Sequence, residues 1–176
     1  PKRGKFRGFE SPMTAIVLLL VGLTIALIAL ALVPRLSDRR IVFGEEPDQP
    51  KPFGYRMSWL AVKTADTAAV IETLGLVDAT STNWNSGIGT IYDDSLSDMY
   101  VFVSPPVKGW TLVAGVPLPH PFGEGFADKL TPLLMGLSQR FPEVQYFATF
   151  PIIDFFGWAR LHKGRVIRAF IIGDDG

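Results

Sequence analysis

The chain contains no cysteine among its 176 residues. That absence excludes disulfides, thiolate metal sites, iron–sulfur clusters and covalent haem attachment. Histidine is nearly as scarce: only His120 and His162 occur, so a metal site would need both of them plus carboxylates gathered by the fold. Neither sign of charge prevails, with 17 Lys and Arg against 17 Asp and Glu. A nucleic-acid binder would need a basic surface, so that class is disfavoured. Internal repeats are missing too. The most telling absence is local, since residues 13–33, MTAIVLLLVGLTIALIALALV, carry no charged side chain at all.

A run of about 21 apolar residues, at 1.5 Å rise per residue, just covers a hydrocarbon core of about 30 Å. The expectation is a single transmembrane helix over 13–33, preceded by a basic tail at 1–12 and capped by Ser11 and Pro12. Pro34 is expected to stop it, with Arg35, Arg39 and Arg40 at headgroup level. Ala29-Leu30-Ala31 resembles a signal-peptide cleavage site, but the apolar run is longer than the usual signal core. Basic residues flanking the run slightly favour a cytoplasmic N-terminus. The corresponding localisation is a single-pass protein of the bacterial inner membrane, with its domain in the periplasm.

The run has no His, Asp, Glu, Lys or Arg, so it offers no axial ligand and no proton relay, and no cofactor is expected. It does carry a stripe of small residues, Ala15, Gly22, Ala26 and Ala29, on one helix face. Such a stripe lets a neighbouring helix approach closely, and it marks the helix as a docking element.

Residues 34–54 read as a Pro-rich linker, GEEPDQPKP at its centre, extended and semi-rigid. Residues 55–176 read as one α+β domain with a mostly antiparallel sheet and two main helices. YRMSWLAVK (55–63) has strand alternation, and Thr64 is expected to cap a short helix ending at Gly75. The stretch 80–89 around Trp84 is glycine-bearing and polar, which predicts a loop. Residues 99–103 and 110–115 form a hairpin pattern, and Phe126, Leu130, Leu133, Leu134 and Leu137 recur at helical spacing. Three strands close the chain, at 144–150, 155–162 and 165–172. Lys163-Gly164 supplies a tight turn between the last two.

Gly109-Trp110-Thr111-Leu112-Val113-Ala114-Gly115, Leu137-Ser138, Val144-Gln145-Tyr146-Phe147-Ala148-Thr149, Trp158-Ala159 and Arg168-Ala169-Phe170 together resemble a widespread set of uncharacterised bacterial proteins. The resemblance covers roughly residues 55–176 and brings no activity, so it implies no catalytic residue. This chain departs from that pattern at Pro151 to Phe156, where it is more apolar. That departure implies a contact surface rather than an enzyme site.

No catalytic constellation emerges. Gly87-Ile88-Gly89 is half of a dinucleotide fingerprint and reads better as loop glycines. Asp93, Asp94 and Asp98 read as a solvated turn, and His120 as a rigid loop residue between prolines. Ser104 and Ser138 lack a nucleophile elbow, with Ser138 expected to be exposed. Asp154, between Ile153 and Phe155, is either a buried carboxylate with a raised pKa or a strand residue that faces water or pairs with Arg160, Arg165 or Arg168. Contact candidates in the domain are Trp84, Trp110, Ile152, Phe155, Phe156 and Trp158.

The expected function is therefore that of a non-catalytic accessory subunit. It would dock on and stabilise a larger membrane complex of bioenergetic type, photosynthetic (a reaction centre or light-harvesting complex) or respiratory. Its partners would be membrane lipid and integral-membrane subunits, with no metal or nucleic acid. The alternatives are an anchored sensor or ligand-binding module, with Trp84, Trp110 and Trp158 around a pocket, and, more remotely, an anchored enzyme.

Overall fold

The computed structural model describes residues 12–37, 43–120 and 128–173, with side chains in the first segment described at 13 and 16–30. It divides into two units, Pro1–Val42 and Phe43–Gly176. In the first unit, helix α1 spans Pro12–Ser37. Leu and Ala dominate it, and their helix propensity is high. The helix runs on through Pro34, since a proline removes one helical hydrogen bond and can kink a helix without ending it.

The expectation of a transmembrane span is corrected. Among the described residues, no helix is long and apolar enough to cross a membrane. The single-pass topology and the inner-membrane localisation drawn from that span fall with it. What the unit does show is apolar exposure: Leu18, Leu23, Leu27 and Leu30 are all solvent-facing.

The second unit is α+β. Its strands are β1 (Met57–Val62), β2 (Phe102–Val103), β3 (Thr111–Gly115), β4 (Glu143–Phe150), β5 (Phe155–His162) and β6 (Arg165–Ile172). They form one six-stranded sheet in the order β2-β3-β1-β4-β5-β6, antiparallel at every pairing. Helices α2 (Thr67–Thr73), α3 (Trp84–Ile91) and α4 (Leu130–Arg140) accompany it, so the described residues of this unit hold three α-helices where two main ones were expected.

One sheet face is covered by α2 and α4. Leu60, Val62, Val113, Val144 and Leu161 from the strands meet Val70, Leu134 and Leu137 from the helices. Each such side chain, fully removed from water, contributes about 1.5–3 kcal/mol. The cap of α2 is Asp66 rather than Thr64: its carboxylate accepts from the Ala69 N–H at 2.9 Å, while the Thr64 hydroxyl accepts from the Asp66 N–H at 3.0 Å. Asp128 accepts from the Leu130 and Thr131 N–H groups at 3.0 and 2.9 Å, closing the first turn of α4.

Residues 80–89 were expected to form a loop, yet α3 occupies most of them. The reason lies upstream. Asp48 accepts from the Trp84 and Asn85 N–H groups at 2.8 Å each, and Asn83 caps the Ser86 N–H at 2.9 Å. Three of the helix's orphan donors are thereby satisfied. Residues 43–54 are thus strapped to α3, with the Gly44 N–H donating to the Ser86 hydroxyl at 2.9 Å. Gly87 lets the helix lie directly on Phe102, because a Cβ there would overlap the ring.

The turn at Lys163-Gly164 has positive φ at both residues, 47° and 74°, the combination a two-residue hairpin needs. Ser138 is buried, not exposed: its hydroxyl accepts from the Gly164 N–H at 2.8 Å and pins this turn to α4.

Candidate docking face

The second sheet face is covered unevenly. At the β2-β3-β1 end, α3 and the strap bury Met57, Trp84, Ile91, Phe102 and Ala114, with Phe53 and Trp59 packed beside them. No described helix covers the β4-β5-β6 end of this face.

Strand register builds a row of aromatic side chains here. Trp59 stands opposite Phe147, Phe147 opposite Trp158, and Trp158 opposite Phe170. Directly opposed residues share a face, so the four rings form one line from β1 to β6. Trp59 and Phe147 stack with centroids 4.0 Å apart and planes 11° off parallel. Phe53 meets Trp59 edge-on at 5.6 Å, and Trp158 lies 6.1 Å from Phe170. The first three rings of the row are partly exposed, and Phe170 is 47% exposed. In the next row Phe156 pairs with Ile172, 38% and 59% exposed.

Beside the aromatic row runs a polar one, Gln145, Arg160 and Arg168, in direct register. Glu143 binds it: its Oε1 accepts from Arg160 Nε at 2.8 Å and from Gln145 Nε2 at 3.0 Å. Partial burial pushes the Glu143 carboxyl up. The hydrogen bonds from Arg160 and Gln145 and the charges of Arg160 and His162 more than offset this, so its pKa lies below the ordinary carboxylate value. Arg168 sits 6.0 Å over the Trp158 ring, and Lys63 lies 4.6 Å over Trp110. Between Lys51, Phe53, Trp59, Trp110, Gln145 and Phe147 lies an open groove of about 580 Å³.

The residues singled out by sequence are dispersed. Trp84 and Phe155 are interior, each 4% exposed, so neither is available to a partner. Trp110 lines the groove, Trp158 stands in the aromatic row and Phe156 beside it. Ile152 is exposed on the 3-10 turn (Pro151–Ile153) that links β4 to β5. Gly22 has nothing within 4 Å of an added Cβ, and Ala26 and Ala29 are exposed. The side chain of Ala15, like residue Phe126, lies outside the described residues.

Asp154 occupies a left-handed turn at φ 45° and is exposed, so it is not a carboxylate buried among apolar side chains. His120 and His162 are both exposed. Among the described residues, no group of three or more His, Asp or Glu could hold a metal. Asp93 accepts from both the N–H and the hydroxyl of Ser95, an ordinary turn. The Ser104 hydroxyl is occupied by the Leu112 N–H and the Pro105 carbonyl.

Sequence reasoning missed Trp59, Phe147 and Phe170. Their signal was alternation: in EVQYFATF the odd-numbered residues share one face, opposite to Val144, Tyr146 and Ala148. Alternation assigns faces within a strand, whereas the row exists only through pairing between strands. None of the protein-family models, curated proteins or solved structures compared with this chain matches it.

Proposed function

We propose that this chain is a non-catalytic docking subunit of a larger protein assembly, seated through the β4-β5-β6 half of its open sheet face. The cross-strand row Trp59–Phe147–Trp158–Phe170 carries this reading. Contiguous exposed apolar surface marks sites of association, and Trp and Tyr with Arg dominate the energetics of such contacts. Trp158, with Arg168 over its ring, has the composition of a central anchor. The exposed apolar side chains of α1 add a second surface that an assembly would cover.

The test is native purification of the full chain from its host, followed by sizing. The wild type is expected to run with stoichiometric partners. The Trp158→Ser/Phe170→Ser variant is expected to lose at least tenfold of that association while keeping its circular dichroism spectrum, as removal of a hot spot of about 2 kcal/mol or more implies. A wild-type chain running alone at 19.4 kDa, or a variant retained at full occupancy, would sink the reading.

A second reading has one observation behind it. The groove between Phe53, Trp59, Trp110 and Phe147 offers aromatic walls with Lys51 and Gln145 as polar handles, the composition of a site for a flat small molecule. Tryptophan fluorescence separates the two: a saturable quench by a small metabolite, abolished by Trp110→Ala, favours the groove.

A further inference from the structure

Strand β6 ends the sheet, and all eight of its residues are exposed. An edge strand presents a line of unpaired N–H and C=O groups, a template for another strand. Proteins commonly blunt such edges with charge or with bulges. Here the one irregularity lies where pairing steps from Arg160↔Arg168 to Leu161↔Val166, so the edge from Arg168 to Ile172 is regular.

The charge on this strand has one sign. Arg165 and Arg168 are its only ionisable residues. Arg168 stands directly opposite Arg160, an unfavourable like-charge pairing. Glu143 answers the Arg160 guanidinium, and among the described residues no carboxylate pairs with Arg165 or Arg168. A strand arriving at the outer edge with carboxylates beside these arginines relieves the repulsion and completes the ladder.

A second copy of β6 suits the edge less well. Antiparallel self-pairing over all of 165–172 sets Arg168 opposite Ala169 of the copy. Arg165 falls opposite Ile172 of the copy, so a second β6 brings no carboxylate to either arginine and adds further positive charge along the edge. The arginines thus act against basic strands and in favour of an acidic one, which is how charge turns a promiscuous edge into a selective one.

We propose that the outer edge of β6 receives an extended acidic segment of a partner protein as a seventh strand, its carboxylates paired with Arg165 and Arg168. This rests on the docking reading and names the chemistry of the partner. Backbone hydrogen bonds supply sequence-independent affinity, and the arginines supply selection.

The test is fluorescence anisotropy on the full chain in mild detergent with three capped, labelled peptides. The first is (Thr-Glu)4, the second (Thr-Lys)4, and the third is (Thr-Glu)4 with alternate backbone nitrogens methylated. The glutamate peptide is expected to bind at least tenfold tighter than the lysine peptide, and N-methylation to cost at least tenfold. Arg165→Gln/Arg168→Gln should erase the preference, and Arg165→Glu/Arg168→Glu should invert it. Both variants alter exposed side chains, and their fold is checked by circular dichroism. Equal binding of the two charge types overturns the proposal. So does indifference to N-methylation, which would mean charge attraction without strand addition, or sedimentation showing a peptide-free dimer broken by the arginine variants. If peptide binding fails while assembly still depends on Trp158 and Phe170, the docking reading stands and the edge proposal alone is lost.

Discussion

Ser58 and Tyr146 place two hydroxyls inside the layer between the sheet and its helices, 3.0 Å apart and almost completely buried. Burial raises the Tyr146 pKa, only partly countered by the Ser58 hydrogen bond, so the phenol stays neutral and available as a donor. Removing one partner strands the other without water, which costs about 1–3 kcal/mol; removing both leaves only an apolar gap to fill. Tyr146→Phe and Ser58→Ala are therefore each expected to destabilise by that amount. The double variant should lose less than the sum, with a coupling of about 1 kcal/mol in urea unfolding. Additivity within about 0.3 kcal/mol would show that the bond contributes nothing. Individual residues were legible where their partners are local. Lys163-Gly164 announces its turn in two letters, whereas Ser138 hides its role because the N–H it accepts from is 26 residues away. Asp154 left two environments open, and the left-handed turn that exposes it depends on how the 3-10 turn closes, through the Asp154 N–H to the Pro151 carbonyl.

Among the elements, the last three strands and α4 could be read from the sequence because alternation and helical spacing are strong there. The β4-β5-β6 meander needs only short connections to pair in sequence order. Helix α3 could not be read. Its WNSGIGTI segment has two glycines and no strong helix former, and glycine disfavours a helix interior by about 1 kcal/mol relative to Ala. Tertiary contacts overrule that preference: Asp48 and Asn83 satisfy its first N–H groups, and Trp84 packs edge-on against Phe102 at 5.1 Å. Gly87 gives up helix propensity for closeness. On propensity alone Gly87→Ala would stabilise α3; here the added methyl would overlap the Phe102 ring, and overpacking of this kind costs about 1–3 kcal/mol. The variant is expected to be less stable in thermal unfolding, while Gly87→Ala combined with Phe102→Ala, which alone empties a buried ring site at about 3–5 kcal/mol, should lose less than the sum of the two single variants. A more stable single variant would mean that α3 does not lie against β2 as described.

On the scale of the whole second unit, the described residues give one sheet a closed face, a half-closed face and, at β6, an edge that no described strand pairs. The closed face holds the fold together. The β4-β5-β6 half of the second face and the outer side of β6 carry no described helix or strand, and neither was visible until strand order set Trp59, Phe147, Trp158 and Phe170 side by side. The same sheet also sets how stability responds to pH. Glu143 has a folded pKa below its ordinary 4.5, so its contribution is present above that value and is lost as pH falls through the folded one. Asp128 acts in the same direction: the Thr131 side-chain hydrogen bond, with the Thr131 and Leu130 backbone bonds, holds its carboxyl below the ordinary 3.8. Tyr146 works at the other end. Its folded pKa lies above 10.0, so its contribution is complete below pH 10 and is lost as pH rises through the folded value. Stability is therefore expected to vary little at neutral pH, to fall below about pH 4.5 and to fall again above about pH 10. Glu143→Gln should flatten part of the acid limb, with a change in stability at pH 7 of no more than about 1 kcal/mol, since the Arg160 pair is half exposed. Tyr146→Phe should flatten the alkaline limb and leave the acid limb unchanged. Urea unfolding across that range reads both slopes, and an acid limb identical in wild type and Glu143→Gln would show that the Glu143–Arg160 pair does not tie β4 to β5.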